Sequence, residues 1–472
     1  MEVENLTRNI LDCPKEKLVD TNPYSDYVPR KGSEFQFSVI TPIVGGGAVA
    51  GKSDSITPIR VSGIRGHLRF WWRVARGIEC KSIKELRERE GEIWGAADWP
   101  SPVLIEVEQP IKKLNNRNPP DHGFPKYGPQ AYALFSAKDE SILEEGFCFN
   151  LKVRWLKLEK LQMLRNKENE ELEHQNKEPK ARFIRDIGTD VEEALKAWAN
   201  FGGIGTRTRR GCGALFCDQL AIKSVNEIKR FRFRALFNDN CDKNDPINAW
   251  SVSVGAIMSF RQLRGGPHDK KIEKFNKFKK IKEIKTIKGI PGRSYWPEPD
   301  TIRKITGCAL KPPNLNDADH SIPLTPVGYF PRAELGLPIV FHFADGPNRK
   351  PAVKSLDPPD VMLIPTKPDG KDGTRMASPV ITRPIKLATG ESIALVVILN
   401  SQISYPLRLI GNSPQLPYDI NQKMIRDTAL ANYPNSPLGP SAVGKAARSS
   451  DGSALEGFIN FAEDEKHFVE VM

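Results

Sequence analysis

The sequence lacks any apolar run long enough to cross a membrane. Its longest uninterrupted run, Ile393–Leu399, has seven residues, whereas a transmembrane helix needs about 20. The first residues, Met1-Glu-Val-Glu-Asn, are acidic and are not followed by the apolar segment of a signal peptide. We therefore expect a soluble, non-secreted protein in the cytoplasm, with no membrane partner.

Cysteine motifs are missing too. The seven cysteines are scattered, none forms a Cys-x-x-Cys pair, and the two nearest, Cys212 and Cys217, have no histidine at ligand spacing. Structural zinc sites need such clusters of Cys and His. The pattern predicts reduced thiols, no metal site and no cofactor.

Positive charge, in contrast, is abundant. The 472 residues are enough for two or three domains, and 39% hydrophobic with 27% charged residues is an ordinary globular composition. Seventy Lys and Arg against 58 Asp and Glu leave a net charge of +12. Such an excess favours a polyanionic partner, for example a nucleic acid.

Apolar periodicity predicts a β-α-β-β-α-β order in the first half of the chain, which is the order of the ferredoxin-like unit. Thr189 and Glu192 are placed as a capping box at the start of the second helix. The predicted strands are Glu34–Ile40, Val103–Val107, Phe147–Trp155 and Ala214–Ile222, and the predicted helices are Ile64–Arg76 and Thr189–Asn200.

We expect an α+β protein of two ferredoxin-like βαββαβ domains with charged and proline-rich insertions. The first spans residues 1–238, with an exposed, charged insertion at about 157–180. The second spans residues 246–472, is loop-heavy because 23 of the 38 prolines lie between Pro291 and Pro440, and carries a basic insertion at about 264–288. Its predicted strands are Ala249–Met258, Leu337–Phe343, Pro379–Leu387 and Ser392–Leu399.

The basic segment Arg264–Lys288 has ten Lys and Arg against three Asp and Glu, with apolar residues at three-residue steps. It is either a solvated helix face or a contact to an RNA backbone. Nearer the N-terminus, Gly46–Ser53 spells a phosphate-binding loop. That loop needs a helix starting at its Lys-Ser pair, and Pro58 argues against one, so we interpret the segment as a glycine loop beside a basic groove.

Two arginine clusters carry the functional prediction. On the helical wheel of the first helix, Arg65, Arg69, Arg73 and Arg76 share an arc of about 80° beside an apolar face. Like charges at i, i+4 repel, so a bound polyanion would relieve them, and a solvated or subunit-facing surface is the alternative. Trp71 and Trp72 belong to the apolar face. His67 lies away from the arginines, and we interpret it as structural.

The second cluster is the glycine loop that follows the second helix, Phe201-Gly-Gly-Ile-Gly-Thr-Arg-Thr-Arg-Arg-Gly-Cys-Gly213. Its glycines let a ligand approach the backbone closely, and Arg207, Arg209 and Arg210 can neutralise phosphates. A flexible hairpin loop is the alternative interpretation.

Three motifs together resemble the RAMP proteins of CRISPR systems over about residues 34–222: Phe37-Ser-Val-Ile-Thr-Pro-Ile-Val-Gly-Gly-Gly, Thr57–Arg73 and Phe201–Gly211. The run Leu68-Arg-Phe-Trp-Trp-Arg73 is similar to the first-numbered subunit of the type III-B (Cmr) effector complex. The resemblance implies two RAMP domains and a non-catalytic, RNA-binding subunit in antiviral defence. Its partners would be the 3′ region of the guide RNA (crRNA), the single-stranded target RNA and other RAMP subunits.

The predicted RNA-binding set combines both clusters with the two cations that flank the first glycine loop. Its members are Lys52, Arg60, Arg65, Arg69, Arg73, Arg76, Gly202, Gly203, Gly205, Arg207, Arg209 and Arg210. Two alternatives stay open. One is a metal-independent endoribonuclease of the RAMP superfamily, which needs a histidine base, although no histidine lies inside an arginine cluster. The other is a protein scaffold without RNA contact.

Overall fold

The computed structural model describes residues 34–47, 54, 57–97, 99–108, 116–117, 131–134, 142–177, 187–262, 296–308, 327–343, 358–400, 403, 406–431, 436–440 and 446–471. The predicted basic segment Arg264–Lys288 and the predicted RNA contact Lys52 lie outside these residues. The described chain is a mixed α+β protein whose strands pair antiparallel. The predicted α+β class is therefore confirmed.

Most predicted elements of the first half are present with bounds shifted by a few residues. The observed elements of this half, in chain order, are β1 Glu34–Val39, β2 Ile43–Val44, α1 Val61–Ala75, α2 Ile83–Trp94, β3 Val103–Glu108, β4 Asn116–Arg117, α3 Ala131–Leu134, β5 Ile142–Leu143, β6 Cys148–Trp155, α4 Leu158–His174, α5 Gly188–Phe201 and β7 Leu215–Phe216. The predicted charged insertion contains α4, which is a mostly exposed helix.

The first sheet has the spatial order β3-β6-β1-β7, and β2, β5 and β4 form a small second sheet. In β1 and β6, every second side chain is buried, which is the alternation that the sequence predicts. Phe37 and Phe149 stack at 5.1 Å between ring centroids, and α1 packs against α5. Trp72 of α1 donates its indole N–H to Asp190 of α5 at 2.8 Å, so the tryptophan predicted for the core also ties the two helices together.

The second half builds two further four-stranded sheets, ordered β11-β12-β8-β15 and β14-β13-β10-β9. Its elements are β8 Arg234–Asn238, α6 Pro246–Gln262, α7 Glu298–Thr306, β9 Ile339–Phe341, β10 Val361–Pro365, β11 Val380–Lys386, β12 Ser392–Ile398, β13 Leu407–Gly411, β14 Tyr418–Ile420, α8 Thr428–Ala431, α9 Ala454–Lys466 and β15 Val469–Glu470.

The strand predicted at Ala249–Met258 is wrong, because these residues lie in helix α6. Two faces of the helix are buried. Ala249 and Ala256 pack in the core of the second half, whereas Trp250 and Val254 pack against residues of the first half. Burial on two faces makes the helix apolar along most of its length, and such a run cannot be told from a buried strand by periodicity alone.

Three smaller predictions are also wrong. The fourth strand covers only Leu215–Phe216 of the predicted Ala214–Ile222, because a 3-10 turn follows. Helix α5 begins at Gly188, one residue before the predicted cap Thr189, and has no side-chain cap. Arg234–Asn238, which the predicted boundary assigns to the first domain, pairs as β8 with β12 and β15 of the second half.

Strand β12 is apolar from Ile393 to Ile398, as expected for a strand with both faces buried. Ile393, Leu395 and Val397 pack into the same core as α1 and α5. Ala394 and Val396 point the other way, into the core that contains residues of α6 and α9. One sheet therefore joins the two halves of the chain through a continuous apolar contact.

Arg383 of β11 lies in this contact and is 1% exposed. Its guanidinium donates to the carbonyl oxygens of Gly202, near the start of the glycine loop, of Leu215, just after the loop, and of Pro384. All of its partners in the described chain are carbonyl oxygens. Burial lowers the pKa of Arg383 to about 9, so the group is still a cation at neutral pH.

We expect Arg383→Ala to lower the free energy of unfolding by about 2–4 kcal/mol, because it leaves buried carbonyls without a donor and opens a cavity. Urea denaturation followed by circular dichroism measures the change. Arg230→Ala is the control, since Arg230 is 40% exposed and pairs with Glu193 at the surface, and its loss should cost less than about 1 kcal/mol. Equal effects of the two substitutions would contradict the role given to Arg383.

Candidate nucleic-acid interface

Three of the four arginines in the stripe on α1 (Arg65, Arg69, Arg73 and Arg76) are paired with carboxylates of the protein itself. The Nε atoms of Arg69 and Arg73 lie 2.7 and 3.1 Å from the two carboxylate oxygens of Glu90 on α2. Glu90 is 8% exposed. The i, i+4 repulsion that we expected a polyanion to relieve is therefore relieved by a nearly buried carboxylate, and this argument for RNA contact at Arg69 and Arg73 is wrong.

The other two stripe residues are also engaged. Arg76 pairs with Glu79 at 2.9 Å and approaches Asp190 at 3.7 Å. Arg65 donates to the hydroxyl of Ser101 at 2.5 Å and to the carbonyl of Val103 at 3.1 Å, and so joins α1 to the start of β3. Burial and the neighbouring charge of Arg69 lower the pKa of Arg65.

The glycine loop is shaped by packing against its own chain. A Cβ atom at Gly202 would lie 2.4 Å from Trp198 and 2.6 Å from the Trp71 indole nitrogen. Gly205 has φ +84°, and its Cβ would lie 2.7 Å from the carbonyl oxygen of Val44. Gly203 forms a bridge to Ala214. Close approach of the backbone is thus needed for the fold, irrespective of any ligand.

The three arginines of the loop differ in their surroundings. Arg207 has a left-handed backbone conformation, φ 59°, and donates to the carbonyl of Ala133 at 3.3 Å. The carbonyl of Arg210 accepts the indole N–H of Trp250 at 2.7 Å. Arg209 donates to the carbonyl of Ser378, and its guanidinium lies 5.4 Å from the centroid of the Phe70 ring. Burial lowers the pKa of Arg209.

Two adjacent pockets follow the face of α1 that the loop covers, and together they form a groove. The first has a volume of about 200 Å³ and the second about 170 Å³. Their shared lining residue is His67. The first is lined by Gly46, Pro58, Ile59, Arg60, Gly63, Ile64, His67, Ile204 and Gly205, and the second by His67, Phe70, Trp71, Phe201, Gly202, Gly203, Thr208, Arg209 and Ile381.

Arg60 and Arg209 belong to opposite pockets of this groove. Arg60 donates only to the carbonyl oxygens of Gly46 and Gly47, at 2.7 and 2.6 Å. The contacts of Arg209 are the Ser378 carbonyl and the Phe70 ring. Within the described residues, neither guanidinium has a carboxylate partner. In the part of the chain that the structure describes, the groove therefore offers two positive charges without a counter-charge, unlike Arg69, Arg73 and Arg76, which are paired with carboxylates.

His67 is half-buried in the middle of the groove, with its ring 6.3 Å from the ring of Trp198. Burial lowers its pKa, so the imidazole is neutral at neutral pH. The prediction that His67 lies apart from the stripe holds. No histidine lies inside either arginine cluster of the sequence, but the groove places His67 between the pocket that Arg60 lines and the pocket that Arg209 lines.

Sequence reasoning named five residues that line this groove but missed the face of α1 between them, because it followed the charged side of the helix. The five are Arg60, Gly202, Gly203, Gly205 and Arg209. Gly63, His67 and Phe70 are spaced i, i+4, i+7, a spacing that places three residues on one helix face. Arg60 directly precedes the helix. The spacing could have identified the face. The spacing could not show that Arg69 and Arg73 are paired, because their partner Glu90 belongs to a different helix, α2.

A search of the described residues finds no group of three or more His, Cys, Asp or Glu arranged to hold a metal ion. Nor does any described helix combine the length and the apolar character that a membrane span requires.

Residues 36–216 match the RAMP superfamily. This match confirms the resemblance that the sequence motifs indicate over that part of the chain. No curated protein sequence matches the chain.

Solved structures similar to this chain include Cmr1 from Pyrococcus furiosus in its apo form, with 11% identity, a TM-score of 0.39 and coverage of 83% of this chain and 94% of that one. Two others are cryo-EM structures of the Type III-B Cmr-beta bound to cognate target RNA, one of them with AMPPnP and ssDNA. Both have 12% identity, cover 83% of this chain and 96% of theirs, and have TM-scores of 0.37 and 0.34.

We expect Glu90→Gln to lower the free energy of unfolding by about 1 kcal/mol at low salt, because Arg69 and Arg73 lose their shared counter-charge. The loss should shrink as salt screens the repulsion. Urea denaturation at two salt concentrations measures it. Glu88→Gln on the same helix is the control, since Glu88 is exposed and 4.0 Å from Lys84. If both variants lose the same stability, Glu90 does not neutralise the stripe.

His67 should make folding sensitive to acid. Its folded pKa lies below its unfolded value of 6.5, so its stability contribution is present above that pH and is lost as the pH falls and the unfolded chain takes up the proton. We expect His67→Gln to lose less stability between about pH 7 and pH 5 than the native chain. His174→Gln, at the exposed end of α4, is the control. Parallel pH profiles for all three proteins would disprove the assignment.

Proposed function

We propose that this chain, whose residues 36–216 match the RAMP superfamily, is a non-catalytic RNA-binding subunit of a type III-B CRISPR effector complex. Its partners in antiviral defence would be the 3′ region of the guide RNA, the single-stranded target RNA and the other RAMP subunits. The type III-B assignment rests on the sequence run Leu68–Arg73. A cytoplasmic location belongs to the same proposal.

The observation that carries the RNA-binding proposal is the pair of uncompensated cations, Arg60 and Arg209, on a groove lined with glycine. Positive groups that face no carboxylate can neutralise phosphates, and this electrostatic attraction supplies most of the sequence-independent affinity for nucleic acids. Of the glycines that line the groove, Gly63 is the one where an added Cβ would meet nothing within 4 Å, so a strand has room to approach the backbone there. Sequence specificity would then come from pairing with the guide RNA.

The proposed architecture is two ferredoxin-like RAMP domains, and the connectivity of the described strands supports it. The first half runs β1-α1-β3-β6-α5-β7, and the second runs β8-α6-β11-β12-α9-β15. In each half the spatial order is the second strand, the third, the first and the fourth. The same order in both halves is what a duplicated βαββαβ unit would give. Strands β9, β10, β13 and β14 would then be insertions.

A second candidate function is metal-independent RNA cleavage. The position of His67 in the groove is the observation that favours it. A neutral imidazole could accept the proton of a ribose 2′-OH. However, its ring has no hydrogen-bond partner in the described chain, whereas a catalytic base is usually oriented by a third group. We therefore propose binding without cleavage.

We expect the purified full-length chain to bind a labelled single-stranded RNA of roughly 30 nucleotides in EDTA without shortening it. Because log K for single strands changes by about 0.7 per neutralised phosphate per log unit of salt, Arg60→Gln and Arg209→Gln should each weaken binding and flatten the salt dependence. Fluorescence anisotropy across a salt series, followed by a denaturing gel, measures both properties.

Arg73→Gln is the matched control. Like the other two substitutions, it removes one positive charge. Because Arg73 is already paired with Glu90, we expect a smaller loss of RNA affinity than with Arg60→Gln or Arg209→Gln. If the native chain shortens the RNA and the His67→Gln variant does not, the chain is a ribonuclease instead. If the native chain does not bind at low salt, the scaffold alternative is correct for the isolated subunit.

A further inference from the structure

We propose that the second pocket of the groove, between α1 and the glycine loop, receives a single unpaired nucleobase of the bound RNA. This inference rests on the proposed RNA-binding function and adds to it a base-contacting site. The residues that carry it are His67 and Phe70 of α1, Arg209 of the loop and Ile381 of β11.

The chemistry of the lining differs between the two pockets. The first contains Arg60 and three glycines but no Phe, Tyr or Trp side chain. The second contains Phe70, Trp71 and Phe201. Trp71 and Phe201 are 3% and 1% exposed and form its floor, whereas Phe70, His67 and Arg209 are half-buried and accessible from the groove. A phosphate suits the first pocket, and a flat apolar ring suits the second.

Arg209 is presented as a flat surface. Its guanidinium is packed against Phe70, with 5.4 Å to the ring centroid, and donates to the carbonyl of Ser378. Unpaired bases of RNA are commonly stacked on aromatic rings or on guanidinium planes. Since both contacts fix the group without neutralising it, the outer face of the plane can stack on a base while the charge attracts the strand.

The dimensions agree with one base rather than a larger ligand. The volume of about 170 Å³ lies below the range of roughly 300–1,000 Å³ that holds drug-sized molecules. His67 lines both pockets, so a base in the second and a phosphate at Arg60 in the first would belong to neighbouring parts of one strand.

The test compares two RNAs of equal length, one with bases and one fully abasic, by anisotropy with the native full-length chain. The abasic strand keeps every phosphate, so backbone binding alone would give equal affinities. We expect the strand with bases to bind about 5- to 150-fold more tightly, the range that stacking on aromatic side chains supplies per base.

Phe70→Leu, which removes the ring but keeps an apolar side chain, should reduce this preference. Arg209→Lys, which keeps the charge but loses the plane, should reduce it as well. Phe216→Leu is the matched control. Phe216 is also half-buried beneath a cation, with Lys386 Nζ 4.9 Å from its ring, but it lines neither pocket. Circular dichroism checks that each variant is folded.

The outcomes separate the two proposals. If the native chain binds neither RNA, the proposed function is wrong. If it binds both equally, RNA binding stands and the base pocket is wrong. A preference for bases that survives in both Phe70→Leu and Arg209→Lys also overturns the pocket, because the base contact then lies elsewhere. Loss of the preference in these two variants, and not in Phe216→Leu, is the expected result.

Discussion

The rest of the site depends on two hydrogen bonds that Arg383 donates. One goes to the carbonyl of Gly202, near the start of the glycine loop, and the other to the carbonyl of Leu215, just after the loop. A buried cation without a carboxylate is costly, and here only backbone dipoles compensate it. Because the guanidinium comes from β11 and the carbonyls from Gly202 and Leu215, it fixes the loop of the first half against the sheet of the second. The loop in turn covers α1 and closes the groove.

The charges of the site divide according to what faces them. Three arginines of α1 serve the fold, since Glu90 connects Arg69 and Arg73 to α2 and Glu79 pairs with Arg76. The partners of Arg60 and Arg209 among the described residues are carbonyl oxygens and one aromatic ring. A carbonyl orients a guanidinium but leaves its net charge in place. Net charge that is oriented and not cancelled is what attracts a polyanion, so the count of arginines is a poorer guide than the location of acidic residues.

The sequence was sufficient for three strands of the first sheet, β1, β3 and β6, because buried side chains alternate with more exposed ones along them. It failed at α6, where two buried faces hide the helical period, and at the boundary, where β8 pairs with a strand more than 150 residues later. The predicted site combines the glycine loop with the charged face of α1, whereas the groove lies between that loop and another face of the helix. Glu90 contacts α1 from a separate helix, and no local pattern in α1 reports that contact.

The groove is a property of both halves of the chain. Ile381 lines its second pocket, and Ser378 holds Arg209, and both residues belong to the second half. Any ligand that binds the assembled groove and not the separated halves must stabilise their contact, since binding energy and docking energy are linked. RNA bound between α1 and the loop would thus strengthen the packing of β11 against the first half. Conversely, a change in that packing would alter RNA affinity without touching a residue that contacts RNA.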